Sequence, residues 1–132
     1  MSKEFKYETK VYYEDTDAGG VVYYANYLKF LERARTEMIS SFDLNNRKLL
    51  KDYKALIIVK SINIEYKKVA QLEEELQIYS SVKTINKASF VMSQIIKKNE
   101  ETILEANIHL VSVNLNGKPI KIPNVLEKYL KI

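Results

Sequence analysis

From residue 55 onward the chain carries four β-patterned segments in succession, at 55–66, 74–85, 88–98 and 102–115, with no helical pattern between them. In the first, Leu56, Ile58, Ile62, Ile64 and Tyr66 are expected on one face, with Ser61, Asn63 and Glu65 on the other. The alternation continues through Leu76, Ile78 and Val82, then Phe90, Met92 and Ile96, then Leu104, Ala106, Ile108 and Leu110. Asn86-Lys87 and Lys98-Asn99-Glu100-Glu101 read as hairpin connections. Connections this short join antiparallel neighbours, because a parallel pair needs a crossover of roughly a dozen residues or more. A doubly wound parallel sheet is excluded.

The residues ahead of this block supply the rest of the architecture. Segment 4–13, with Phe5, Tyr7, Val11 and Tyr13, reads as a further strand. In 25–42, Leu28, Leu31, Ala34, Met38 and Phe42 recur at three- and four-residue spacing, joined by Tyr27, Phe30 and Ile39. That broad stripe predicts one long, largely buried helix. A short helix is expected at 44–51. Another, at 123–130, follows the stop signal Asn116-Gly117-Lys118-Pro119. The economical solution is of the α+β class: a five-stranded antiparallel sheet wrapped around one long helix, as a single domain over 1–132. Such a sheet has open edges and one helix covers only part of one face, which invites a dimer.

The chain has no cysteine, one histidine (His109) and three glycines. Thiolate chemistry, disulfides and Cys-based metal sites are excluded, and one chain cannot build a multi-histidine metal site. No metal and no cofactor are expected, and a Ser–His–Asp triad could form only around His109. His109 sits mid-strand on the face of Glu105, Asn107 and Val111, which suits a surface or interface residue better. Carboxylates and backbone groups are left as the agents of any catalysis. The net charge of +4 is spread along the chain with acidic residues interspersed. That pattern suits an anionic small molecule and argues against nucleic acid. Residues 1–10 lack the apolar core of a signal peptide. The longest aliphatic run, 56–59, falls far short of the ~20 residues that span a bilayer. A cytoplasmic protein without an integral membrane segment is expected.

One stretch concentrates chemistry. Glu14, Asp15 and Asp17 precede Gly19-Gly20, just ahead of the long helix. Glycines allow a backbone to turn with positive φ and to approach a ligand closely. The helix start behind them presents unpaired N–H groups and a partial positive charge. A carboxylate beside an oxyanion site is what acyl hydrolysis requires. The alternative reading is that the acids are caps or solvated loop charges and the glycines only make a turn. Asn26 is placed either to cap the helix or to line a pocket. Lys60 interrupts an apolar strand face, either approaching the site or extending its ammonium to solvent. The Asp-x-Asp spacing of Asp15 and Asp17 does not support a phosphatase of the haloacid-dehalogenase kind. That architecture needs a parallel sheet and a longer chain.

The residues from Val11-Tyr12-Tyr13-Glu14-Asp15-Thr16-Asp17-Ala18-Gly19-Gly20-Val21-Val22-Tyr23-Tyr24-Ala25-Asn26-Tyr27-Leu28 into Phe30-Leu31-Glu32-Arg33-Ala34-Arg35-Thr36-Glu37 closely resemble the 4-hydroxybenzoyl-CoA thioesterase family, nearest its YbgC-type, Tol–Pal-associated branch. Weaker similarity runs on through Ile64-Glu65-Tyr66 and Ser89-Phe90-Val91. The resemblance implies the hotdog fold, a homodimer or homotetramer, and hydrolysis of acyl-CoA or of an acyl group on acyl carrier protein. It implies that Asp17 is the catalytic carboxylate, as nucleophile or as general base. It also implies that a backbone N–H near Tyr24 holds the thioester oxygen, and that Lys87, with Lys83, meets the CoA phosphates. Gly19 and Gly20 would line the substrate. The YbgC-type branch usually has histidine at the position of Tyr24, whereas the 4-hydroxybenzoyl-CoA branch carries an aromatic residue there. A backbone donor survives that change, but an imidazole acid–base role does not. Val69 stands where proline is frequent. The alternative function is a non-catalytic hotdog module that binds acyl thioesters or a protein partner.

Overall fold

The computed structural model describes residues 3–131. In chain order it contains β1 (Phe5–Lys10), α1 (Tyr27–Ser40), α2 (Asn46–Tyr53), β2 (Leu56–Tyr66), β3 (Glu75–Ile85), β4 (Ser89–Lys98), β5 (Glu101–Val113) and α3 (Asn124–Leu130). Two 3-10 turns, Tyr13–Asp15 and Tyr24–Asn26, lie between β1 and α1. The strands form one sheet in the order β1-β3-β4-β5-β2. Every pairing in it is antiparallel, and β1 and β2 are its edges.

The long helix lies against the inner face of the sheet, as its apolar stripe requires. Phe30, Leu31, Ala34 and Met38 of α1 share one buried cluster with Leu76, Ile78, Phe90, Met92 and Ile108. Burying each of these larger side chains contributes about 1.5–3 kcal/mol. A polar tie crosses this core. The Gln94 amide, fully buried on β4, donates to the Leu31 carbonyl (3.0 Å) and to Ser80 Oγ (2.9 Å). Its oxygen accepts from Arg35 Nη1 (3.0 Å). Burial lowers the pKa of that guanidinium below its usual value, with Glu32 opposing the shift. At the other end of α1, Phe42 stacks on Tyr129 of α3 with ring centroids 4.8 Å apart.

Two expectations about the strands are corrected. The first strand stops at Lys10 instead of running to residue 13. Residues 13–15 curl into a 3-10 turn whose Asp15 carboxylate bonds back to the Tyr12 N–H. In β2 the register shifts between Val59 and Ser61. Lys60 is the extra residue of a β-bulge, and a bulge reverses the faces on its two sides. Ile57, Val59, Ile62, Ile64 and Tyr66 pair with Ser112, Leu110, Ile108, Ala106 and Leu104, while Leu56 and Ile58 pair with Val113 and Val111 on the opposite face. Leu56 and Ile58 are therefore not on the face of Ile62, Ile64 and Tyr66. No helix among the described residues is long and apolar enough to cross a membrane.

Candidate active site at the acidic turn

After the buried Val11 the chain leaves the sheet, and residues 12–26 fold into a compact double turn. Thr16 and Val22 form an antiparallel bridge. Inside it the Asp17 N–H donates to the Val21 carbonyl (2.9 Å) and the Gly20 N–H donates to the Asp17 carbonyl (3.1 Å). Gly20 has φ of +80°, a conformation that side chains oppose. Gly19 is required for closeness instead. Its N–H donates to Asp17 Oδ1 at 2.8 Å, and a Cβ placed on Gly19 would stand 3.3 Å from that same oxygen. The Asp17 carboxylate is exposed, oriented by this one N–H. The turn is seated on the 67–73 segment, where Val22 N–H donates to the Ala70 carbonyl (2.9 Å) and Leu72 N–H to the Gly20 carbonyl (3.2 Å).

The second arm of the site is the start of the long helix. Tyr24 and Ala25 open the 3-10 turn that leads into α1. The first N–H groups of a helical turn have no acceptor within it and carry the positive end of the dipole. The Tyr24 ring is 64% exposed, lies 4.9 Å from Tyr23 and meets Tyr66 edge-on at 6.4 Å. The Tyr66 hydroxyl donates to the Tyr24 carbonyl (3.0 Å), so the end of β2 braces this turn. Tyr27 braces it from below: its hydroxyl accepts the Ala70 N–H (2.9 Å). Burial raises the pKa of both Tyr27 and Tyr66 above 10.0. At neutral pH these phenols stay protonated and serve as hydrogen-bonding groups, not as bases.

The remaining sequence candidates fall in different places. Asn26 does not cap α1, for its side chain accepts no helix N–H. It is 7% exposed and its amide donates to Asp15 Oδ1 (2.8 Å). Lys60 is exposed at the bulge of β2. Lys87 is exposed in the β3–β4 hairpin, beyond the Ile85–Phe90 pair. The acidic turn lies at the other end, where Val11 N–H meets the Glu74 carbonyl. The β3 strand between them is 11 residues long, about 33 Å at 3.3 Å per residue. Lys87 and Asp17 of one chain therefore stand at opposite ends of the sheet. Lys83 Nζ lies 3.4 Å from Asn107 Oδ1 on the outer face. His109 is on that face too, between Ser61 and Val91, with its Nε2 buried and unbonded.

The residues that sequence reasoning did not pick out are the braces. Tyr66 carries no local signal, because its contact with Tyr24 spans 42 positions. Asp15 was visible only as one acid among three. Its spacing to Tyr12, three residues back, is that of half a capping box and is the one cue available.

The arrangement matches known proteins closely. The family description "Thioesterase-like superfamily" matches residues 11–130. The acyl-CoA thioesterase YbgC of Haemophilus influenzae is 36% identical over 124 residues, covering 93% of this chain and 91% of that protein. The acyl-CoA thioester hydrolase YbgC of Escherichia coli O6:H1 is 39% identical over 121 residues, 90% of each. A crystal structure of a probable thioesterase from Bartonella henselae, 31% identical, aligns with a TM-score of 0.89 over 92% of this chain and 100% of that one. By sequence and by fold alike, the chain belongs to the thioesterase-like superfamily as a YbgC-like member with the hotdog fold.

Proposed function

We propose that this chain hydrolyses acyl-CoA thioesters at the acidic turn. The observation that carries the reading is the exposed Asp17 carboxylate, oriented by the Gly19 N–H and leading by a tight turn to the open N–H groups at Tyr24. The names of the relatives support the same reaction. Water is added across the thioester: a C–O bond forms at the carbonyl carbon, the C–S bond breaks, and the thiol takes the proton. Asp17 either attacks that carbon, giving a mixed anhydride that water then opens, or removes a proton from the attacking water. The carbonyl oxygen gathers charge in both routes, and the Tyr24 N–H with the helix dipole behind it stabilises that charge. Single-turnover hydrolysis in ¹⁸O water separates the routes, since label enters Asp17 only through the anhydride.

The acyl chain extends along α1. A cavity of about 70 Å³ lies between that helix and the sheet, walled by Met38, Ile39, Val59, Phe90 and Met92 among others. Val59 is itself exposed on the edge strand, so a second copy of the chain completes the wall. Antiparallel pairing of β2 with its copy sets the Leu56 end of one strand against the Tyr66 end of the other. The β3–β4 hairpin lies at the Leu56 end, because Leu56 pairs with Val113 and Ser89 with Val111. A two-fold dimer thus brings Lys87 of the second copy toward the end where Tyr66 touches Tyr24, where it can meet the phosphates of CoA. The proposed substrate implies action in the cytoplasm.

Purified protein assayed for thiol release against acyl-CoAs of graded length, and against acyl carrier protein thioesters, tests the reading. Asp17→Asn is expected to lower kcat about 10²-fold or more with unchanged Tm. Equal rates in the two proteins would leave the non-catalytic binding module as the better account.

A further inference from the structure

Asp15 is the buried acid of the turn. It is 4% exposed, and among the described residues it has no ion-pair partner. A carboxylate taken out of water is costly unless donors surround it. Here both oxygens are met by donors. Oδ2 accepts the Tyr12 N–H (2.9 Å) and Oδ1 accepts the Asn26 side-chain amide (2.8 Å). The main chain of Asp15 joins in as well, its carbonyl accepting the Tyr23 N–H (3.0 Å).

These contacts have a common consequence. Asp15 lies two residues before Asp17, while Tyr23 and Asn26 bracket Tyr24. One residue on the carboxylate arm is bonded to both flanks of the oxyanion arm, through its carbonyl on one side and its side chain on the other. We infer that Asp15 and Asn26 are a positioning pair that fixes the Asp17 carboxylate relative to the Tyr24 N–H, and so act on turnover without touching substrate. The inference rests on the proposed hydrolysis. It also explains the residue types. Two donors converge on residue 15, and a carboxylate accepts from both. Misplacing reacting groups by about 1 Å is enough to cost roughly 10²-fold in rate.

The pair can be inverted, which provides the test. Asn26→Asp sets two carboxylates face to face, whereas Asp15→Asn is met by turning over the Asn26 amide, whose oxygen then accepts. The double variant D15N/N26D restores the bond with its direction reversed: Asn at 15 accepts from Tyr12 N–H and donates to Asp at 26. Asn26→Asp is expected to lower kcat about 10- to 100-fold with KM within about threefold, and the double variant to regain most of the wild-type kcat. Asn26→Ala, which removes the donor without adding charge, serves where a single variant does not fold. Hydrogen exchange across residues 12–26 is read in parallel. It is expected to quicken in Asn26→Asp and slow again in the double variant. Wild-type kcat in Asn26→Ala, or a folded double variant no better than the worse single, overturns the inference. A wild-type protein that hydrolyses no thioester overturns the proposed function, and the catalytic role of the pair with it. Hydrogen exchange then reports only whether the pair joins the two arms.

Discussion

Tyr24 presents two chemistries at one position, a main-chain N–H at the head of a helix and a phenol on an exposed ring. The main chain is held from both sides, by Tyr66 through the Tyr24 carbonyl and by the run of the 3-10 turn into α1. The ring packs beside Tyr23, with which its side chain shares a hydrogen bond, and meets Tyr66 edge-on. If the N–H carries the oxyanion, Tyr24→Phe should leave kcat within about threefold. Losing a true oxyanion donor costs about 10²- to 10³-fold. Steady-state kinetics of that variant distinguishes the two. Asp17 and the two glycines were legible in the sequence because the motif is contiguous. The task of Asn26 was not, since its partner lies 11 residues away across a turn whose shape no local pattern encodes.

At the level of elements, the helix–sheet contact depends on more than its apolar stripe. Gln94 joins β4 to β3 and α1 by hydrogen bonds, through Ser80, Leu31 and Arg35. Gln94→Leu keeps the volume but takes a partner from the half-buried Arg35 guanidinium and from the fully buried Ser80 hydroxyl, while the Leu31 carbonyl keeps its helical bond. It should cost about 2–4 kcal/mol, read as a lowered urea midpoint with an unchanged slope. The stripe of α1 and the hairpins of β3, β4 and β5 were readable, because period and turn residues are written locally. The bulges were not. A single inserted residue changes the face of everything beyond it while leaving the composition untouched, and so Leu56 and Ile58 were assigned to the wrong side of β2. The first strand was drawn too long for a related reason. Tyr13 kept the alternation going through residues that Asp15 pulls into a turn.

On the scale of the whole molecule, the edge strand is the unfinished part. Leu56, Ile58, Val59, Ile62 and Tyr66 are all exposed on β2, a run of apolar side chains beside unpaired strand hydrogen-bonding groups. Such an edge is a template for another strand. With a second copy seated there as proposed, Ile58→Asp should give a monomer by light scattering. It should raise KM for acyl-CoA and for the matching acyl-pantetheine alike, since it also opens the acyl wall, while Lys87→Ala should raise KM for acyl-CoA and not for the acyl-pantetheine, which lacks the nucleotide. An unchanged oligomer in Ile58→Asp, or equal effects of Lys87→Ala on both substrates, would count against that arrangement. The open edge was foreseeable from the number of strands, but its proposed part in the site was not, because Lys87 and Asp17 stand at opposite ends of one protomer's sheet. The bulge at Lys60 bears on how such a protein can change over time. A different side chain at position 60 leaves the strand's geometry as it is. Excision of that one residue would leave Val59 against Leu110 and Ser61 against His109 as consecutive pairs, with every side chain on its present face, so at this point the strand can lose a letter and still read the same.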